Sequence, residues 1–85
     1  MASYRLLIKP SAVKEIEAIP RKDRTRVVKR IQGLSGNPRP PRCEKLSGEE
    51  KYRVRQGWYR IVYSIDDQAR EVLVAKIAHR KDVDR

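Results

Sequence analysis

The sequence predicts one α+β domain in which a helical hairpin packs on one face of a four- to five-stranded sheet, in the order strand, helix, helix, then an antiparallel meander. Three observations lead there. A short apolar run near the start is too brief for a helix, two successive stretches space their apolar residues at helical intervals, and the second half alternates apolar with polar residues. Residues 1–85 form a single domain, and at this size folding buries only about 60 to 65% of the unfolded chain's surface. Helices and sheet must share one modest core.

"YRLLIK", Tyr4 to Lys9, is the first strand and stops at Pro10. Ser11 then stands where an N-cap is expected, and Ala12, Ile16 and Ile19 make one apolar helical stripe, with Lys14, Glu15 and Glu17 outside it. Pro20 ends this helix. The second spans "RKDRTRVVKRIQGLSG": Val27, Ile31 and Leu34 share a face, Arg24, Arg26, Lys29 and Arg30 lie off it, and Gly36 suits the stop. Gly33 inside it costs about 1 kcal/mol relative to Ala. In "NPRPPRCEKLSGEEK" the prolines 38, 40 and 41 forbid regular structure and predict a stiff extended connection. Beyond it Tyr52 and Val54 fall on one strand face, Arg53 and Arg55 on the other. Gln56-Gly57 supplies a tight turn. The next strand sets Tyr59, Ile61, Tyr63 and Ile65 against Trp58, Arg60, Val62 and Ser64. "DDQAR" turns again, and "EVLVAKIAHR" is apolar enough to be central.

The formal charge is +10, and it is localised: residues 21–60 hold thirteen Lys and Arg against four Asp and Glu, whereas the last twenty-five residues balance. A polyanionic partner is expected, and a nucleic acid gains most through counterion release. A membrane is the weaker choice, because no apolar run approaches the roughly 18 residues of a spanning helix. No secretory signal is visible, and the single Cys43 forms neither an internal disulfide nor a multi-cysteine metal site, so a cytoplasmic location is expected.

Arg53 and Arg55 lie two residues apart, about 6.6 Å along one side of a strand, and a tight turn brings Arg60 beside them. Two guanidinium forks at that spacing repel unless an anion lies between them. Exposed arginines are often merely solvated, but clustering inside the most basic segment favours phosphate. The carboxylate pairs Glu49-Glu50 and Asp66-Asp67 read as turn formers, and His79 has no second histidine at a metal-binding spacing. No cofactor or metal is expected. His79 alone has an unperturbed pKa near neutrality, yet a lone histidine at a strand end is more often structural.

Taken together, "EKLSG", "KYRVRQGWYRIVYSID" and "VAKIAHRKDV", after a helical hairpin and "NPRPP", resemble the RelE type of bacterial and archaeal toxin in the RelE/ParE superfamily, over nearly the whole chain. The resemblance implies a toxin of a type II toxin-antitoxin system, monomeric alone and silenced by a cognate RelB-type antitoxin. It implies a metal-independent endoribonuclease that enters the ribosomal A site and cuts messenger RNA by attack of the ribose 2′-hydroxyl on the adjacent phosphate. Residue by residue, Arg53 and Arg55 match the basic positions that hold the RNA backbone and help activate the hydroxyl. Arg60 matches the arginine that stabilises charge on the phosphate, and Arg80 the one assigned to the leaving 5′-oxygen. Lys45 matches a basic position of the RNA- and ribosome-binding surface, and His79 falls where relatives carry varied polar or basic groups.

One departure stands out. The family commonly ends this motif in "DVY", and "HRKDVDR" puts Asp84 at the tyrosine position. A carboxylate does not stack on a base and repels phosphate, so slow cleavage is expected. Two other readings share the fold: a ParE-like inhibitor of gyrase, which has no need of the arginine cradle, and a non-catalytic RNA or ribosome binder.

Overall fold

The computed structural model describes residues 3–46 and 50–79. Strand β1 (Arg5–Ile8) runs into α1 (Pro10–Glu17). Ser11 does not cap that helix. Pro10 takes its first position, where a missing N–H is no loss and φ is already helical, and Lys9 occupies the cap position without a side-chain bond. Helix α2 (Arg21–Gly36) matches the predicted span, and Val27, Ile31 and Leu34 are its buried residues.

The remaining elements are β2 (Glu44–Lys45), β3 (Lys51–Gln56), β4 (Tyr59–Asp66) and β5 (Glu71–His79). The sheet order is β1-β5-β4-β3-β2, antiparallel except for β1, which lies parallel to β5 at one edge. Both helices cover one face: Ala12, Ile16, Val27 and Leu34 meet Val54, Ile61, Tyr63 and Val74 in one core cluster. β2 falls within the predicted connection. Its two residues follow the last proline, so their backbone is free to pair with Tyr52 and Arg53.

Two details of register aim the side chains. The hairpin turn is Gly57-Trp58, one residue later than predicted, because Gln56 pairs with Tyr59 and joins the strands. Gly57 has φ +59 at the first central position, and Trp58 is not in the left-handed region, the pattern of a type II′ turn. In β5, Val72 and Val74 face the helices, and strict alternation would send Ile77 to the other face. A bulge prevents this: Tyr63 pairs with Val74 but Val62 with Lys76, leaving Ala75 as the extra residue. Ile77 returns to the core and Lys76 turns outward. Glu15 of α1 accepts the Ile77 N–H at 2.9 Å and ties the helix to the strand.

The proline-rich connection is held down rather than loose. Tyr63 donates its hydroxyl to the Pro38 carbonyl at 2.7 Å, and burial pushes that phenol above its ordinary range, keeping it a donor. Tyr52 stacks on Tyr63 with centroids 5.9 Å apart, and the Arg39 guanidinium lies 5.2 Å over the Tyr52 ring. Arg39 also grips Asp67 with bonds of 2.9 and 3.2 Å, while Tyr4 donates to the same carboxylate at 2.7 Å. Arg39 first, and Tyr4 after it, hold the Asp67 carboxyl down at about 2.

The two glycine positions predict opposite responses. A Cβ at Gly33 or at Gly57 meets nothing within 4 Å, so backbone alone decides. Gly33→Ala is expected to stabilise by up to about 1 kcal/mol, and Gly57→Ala to destabilise by about 1 to 2 kcal/mol through its positive φ. Urea denaturation of both variants checks the signs, and equal shifts would contradict this account. Asp67 has a depressed folded-state pKa, so its stabilisation is complete above about pH 5 and is lost as pH falls toward about 2. Asp67→Asn should lower stability at neutral pH and flatten the acid limb across that window. Urea midpoints from pH 7 to 2 test this, parallel limbs in both proteins being the contrary result.

Candidate nucleic-acid interface

The helices leave the other sheet face open, and alternation along β3 and β4 puts Arg53, Arg55 and Arg60 on it. The register makes Arg55 and Arg60 direct cross-strand partners. Opposed residues of an antiparallel pair have Cβ atoms about 4.5 to 5.5 Å apart, and like charges there repel. Arg53 is two residues along from Arg55, its side chain only 23% exposed and paired with Glu44 at 3.1 Å. Its Nε is buried with no hydrogen-bond partner. Lys76, turned outward by the bulge, stands opposite Val62 on the same face, and Lys51 opposite Ser64.

Sequence reading missed Lys76 as part of this surface, since a bulge is invisible to strict alternation. The only available signal was that Val72 and Val74 demand one phase and Ile77 the other. Other expected site residues do not join the cluster. Lys45 is the register partner of Tyr52, so it lies on the helix side of the sheet, where it pairs with Glu50 at 3.7 Å. His79 is the partner of Tyr59 and meets its ring edge-on at 5.2 Å. It lines a cleft of about 330 Å³ with Glu15, Ile19 and Ile77, again on the helix side. Arg80 and Asp84 lie outside the described residues.

The open face is therefore suited to one task. Guanidinium groups fixed on adjacent strands offer paired donors to phosphate oxygens and meet growing negative charge without reorganising. Arginine is always protonated and is no proton acceptor. Among the described residues no group of three or more His, Cys, Asp or Glu comes together to hold a metal ion.

The family described as the ParE toxin of type II toxin-antitoxin systems, parDE, matches residues 6–83. Solved structures agree on the fold. A chain of the archaeal RelE–RelB complex from Pyrococcus horikoshii OT3 is 28% identical with a TM-score of 0.82, the match covering 91% of this chain and 94% of that one. The toxin-antitoxin complex RelBE2 of Mycobacterium tuberculosis gives 26% identity and 0.82, over 93% and 100%. The intact RelBE complex of E. coli gives 25% and 0.78, over 89% and 95%. No curated protein matches the chain.

The facing arginines predict a salt-dependent stability. Arg55→Gln should raise the urea midpoint at low ionic strength, by an amount equivalent to about 0.2 to 1 kcal/mol, and the gain should vanish near 1 M salt. A gain that salt leaves unchanged would point to side-chain packing instead.

Proposed function

This chain belongs to the ParE toxin family of type II toxin-antitoxin systems, within the RelE/ParE superfamily, and from that premise we propose that it is a ribosome-dependent endoribonuclease cutting messenger RNA in the A site. The observation that carries the reading is the Arg55–Arg60 pair on the open face with Arg53 beside it. In this reading the 2′-hydroxyl gives its proton to water as its oxygen attacks the adjacent phosphorus, the P–O5′ bond breaks, and the departing oxygen takes a proton from water, leaving a cyclic phosphate and a 5′-hydroxyl. The pentacoordinate intermediate carries more negative charge than the diester. Arg55 and Arg60 meet that charge, Arg53 holds the flanking backbone, and Arg80 stabilises the negative charge on the departing 5′-oxygen. Preorganised donors of this kind lower a barrier by several kcal/mol. The ribosome supplies alignment of the hydroxyl with the phosphate, the entropic share of catalysis. Asp84 gives no stacking platform, so the rate is low.

The natural silencing partner is a RelB-type antitoxin, since similar solved chains come from toxin-antitoxin complexes, and an acidic segment suits a +10 surface. No helix among the described residues is long and apolar enough to cross a membrane, and the site of action is the cytoplasm, where the ribosomes are. A second reading, inhibition of gyrase, is favoured by one observation: the matching family is described by ParE.

The test mixes protein with programmed ribosomes and end-labelled messenger, with a ribosome-free control. Cleavage on ribosomes only is expected, falling by about 10²-fold or more in Arg60→Ala and rising in Asp84→Tyr. If no version cuts and gyrase supercoiling stops, the second reading replaces the first. RNA bound intact by every version would leave a binding protein.

A further inference from the structure

The tip of the β3–β4 hairpin carries a second basic cleft, which adjoins the open-face cluster at Arg55. β2 covers β3 only at Tyr52 and Arg53, so the edge of β3 toward Gln56 is left without a strand beside it. A cleft of about 530 Å³ opens there, lined by Arg30 of α2, Arg42 of the connection, Glu44, Arg55, Gln56 and Gly57. Three guanidinium groups from three separate segments converge on it. Its single carboxylate, Glu44, is engaged by Arg53 at 3.1 Å. Among the described residues none of Arg30, Arg42 and Arg55 forms an ion pair, and the Arg30 Nε is buried with no hydrogen-bond partner. A buried donor of that kind is costly until an acceptor arrives.

Arg42 is placed there by the turn that ends the proline run. Its φ of 73 is the value the third residue of the Pro40–Cys43 turn requires, and the Cys43 N–H closes that turn on the Pro40 carbonyl at 3.1 Å. The turn brings a third cation to the cleft. Gly57 borders both this cleft and a smaller one of about 130 Å³, which is lined also by Asp23, Arg26, Gln56, Trp58 and Tyr59, its one carboxylate offsetting its one guanidinium. Trp58 is 59% exposed, an unusual place for the chain's single tryptophan. An exposed indole in the cleft next to three guanidinium groups has the composition of a single-strand binding surface, in which cations follow the backbone and the ring takes a base. An acidic peptide would satisfy the arginines alone and offers no base to the exposed indole face.

We propose that the hairpin tip is a second nucleotide subsite, in which Arg30 and Arg42, with Arg55 shared, bind a backbone phosphate of single-stranded RNA and Trp58 stacks on the adjoining base. The proposal rests on the functional reading above for its ligand class, nucleic acid, and not for any step of cleavage. Because Arg55 belongs both to the cleft and to the open face, a strand lying over the Arg55–Arg60 pair continues around the β3 edge toward α2. The grip on RNA then extends beyond the phosphate at the Arg55–Arg60 pair.

The probe is a short 2′-O-methyl oligoribonucleotide, which lacks the attacking hydroxyl and stays intact. It is titrated into the full chain with Trp58 emission as one readout and anisotropy of a labelled copy as the other. Saturation is expected to quench the emission. Trp58→Ala should weaken binding several-fold, with Trp58→Tyr restoring most of it. Arg30→Gln and Arg42→Ala, checked for folding by thermal melts, should each reduce the slope of log K against log salt by about 0.7. Unchanged emission together with unchanged slopes would overturn the subsite. So would equal quenching by an oligoglutamate of matched charge, which would assign the cleft to an acidic protein segment. The ribosome assay separates the two proposals. Cleavage that needs Arg60, alongside oligonucleotide binding indifferent to Trp58 and Arg42, removes the subsite alone. Binding that depends on Trp58 and Arg42, without cleavage by any version, sustains the subsite and removes the nuclease reading.

Discussion

The register between β3 and β4 is the constraint on which the rest of the molecule depends. Slipping one strand by a single residue would turn Arg53 and Arg55 under the helices and push Tyr52 and Val54 into water. Burying two guanidinium groups in a core that holds no buried charged side chain among the described residues would cost far more than this small domain has in reserve. The two-residue turn at Gly57 fixes the correct pairing, and with it the opposition of Arg55 and Arg60. The repulsion across that pair is thus a consequence of a register that the core defends. An anion relieves it, which makes the same geometry a binding site.

The core does its part from the opposite face. Tyr63 is the largest fully buried side chain, and it serves as apolar filler, as stacking partner for Tyr52 and as donor to the Pro38 carbonyl. One residue of β4 therefore joins the sheet to the proline-rich connection. With Arg39 fastened to Asp67 and laid over Tyr52, that connection follows a single path down to Cys43. Where it ends decides where Arg42 and Glu44 stand, and so shapes the edge of the basic surface. The stability of the layer under the sheet and the geometry of the face above it are coupled through these few contacts.

Much of this was legible in the sequence because local periodicity carries it. Helical spacing identified Ala12, Ile16, Val27, Ile31 and Leu34, and alternation separated Tyr52 and Val54 from Arg53 and Arg55. What local pattern lacks is pairing. Nothing in "YRLLIK" says that it lies parallel to β5, and nothing in "EKLSG" says that Lys45 shares a face with Tyr52 rather than with Arg53. The place of His79 on the helix side has the same cause, its partner being Tyr59. The Ser11 cap lost to Pro10, whose fixed φ starts a helix without help from a side chain. The convergence of Arg30 and Arg42 with Arg55 is tertiary throughout, since eleven residues of helix end, prolines and turn separate the first two.

The chemistry available on the open face bears on the proposed dependence on the ribosome. Arginines bind phosphate and stabilise negative charge, but as side chains that stay protonated they do not take a proton from a ribose hydroxyl at neutral pH. A surface of that kind holds any single strand by its backbone without giving the 2′-oxygen a reason to attack. Rate must come from alignment, in which the hydroxyl is held in line with the phosphorus before charge develops, and effective molarities show how large that contribution becomes when geometry is imposed. Free RNA is too flexible to supply it, whereas messenger threaded through a decoding site is already held on both sides. On the proposed reading, the absence of a strong base among the described residues of the cluster would confine cutting to translating ribosomes. A cationic protein that met RNA everywhere in the cell would then do damage only where something else had fixed the substrate.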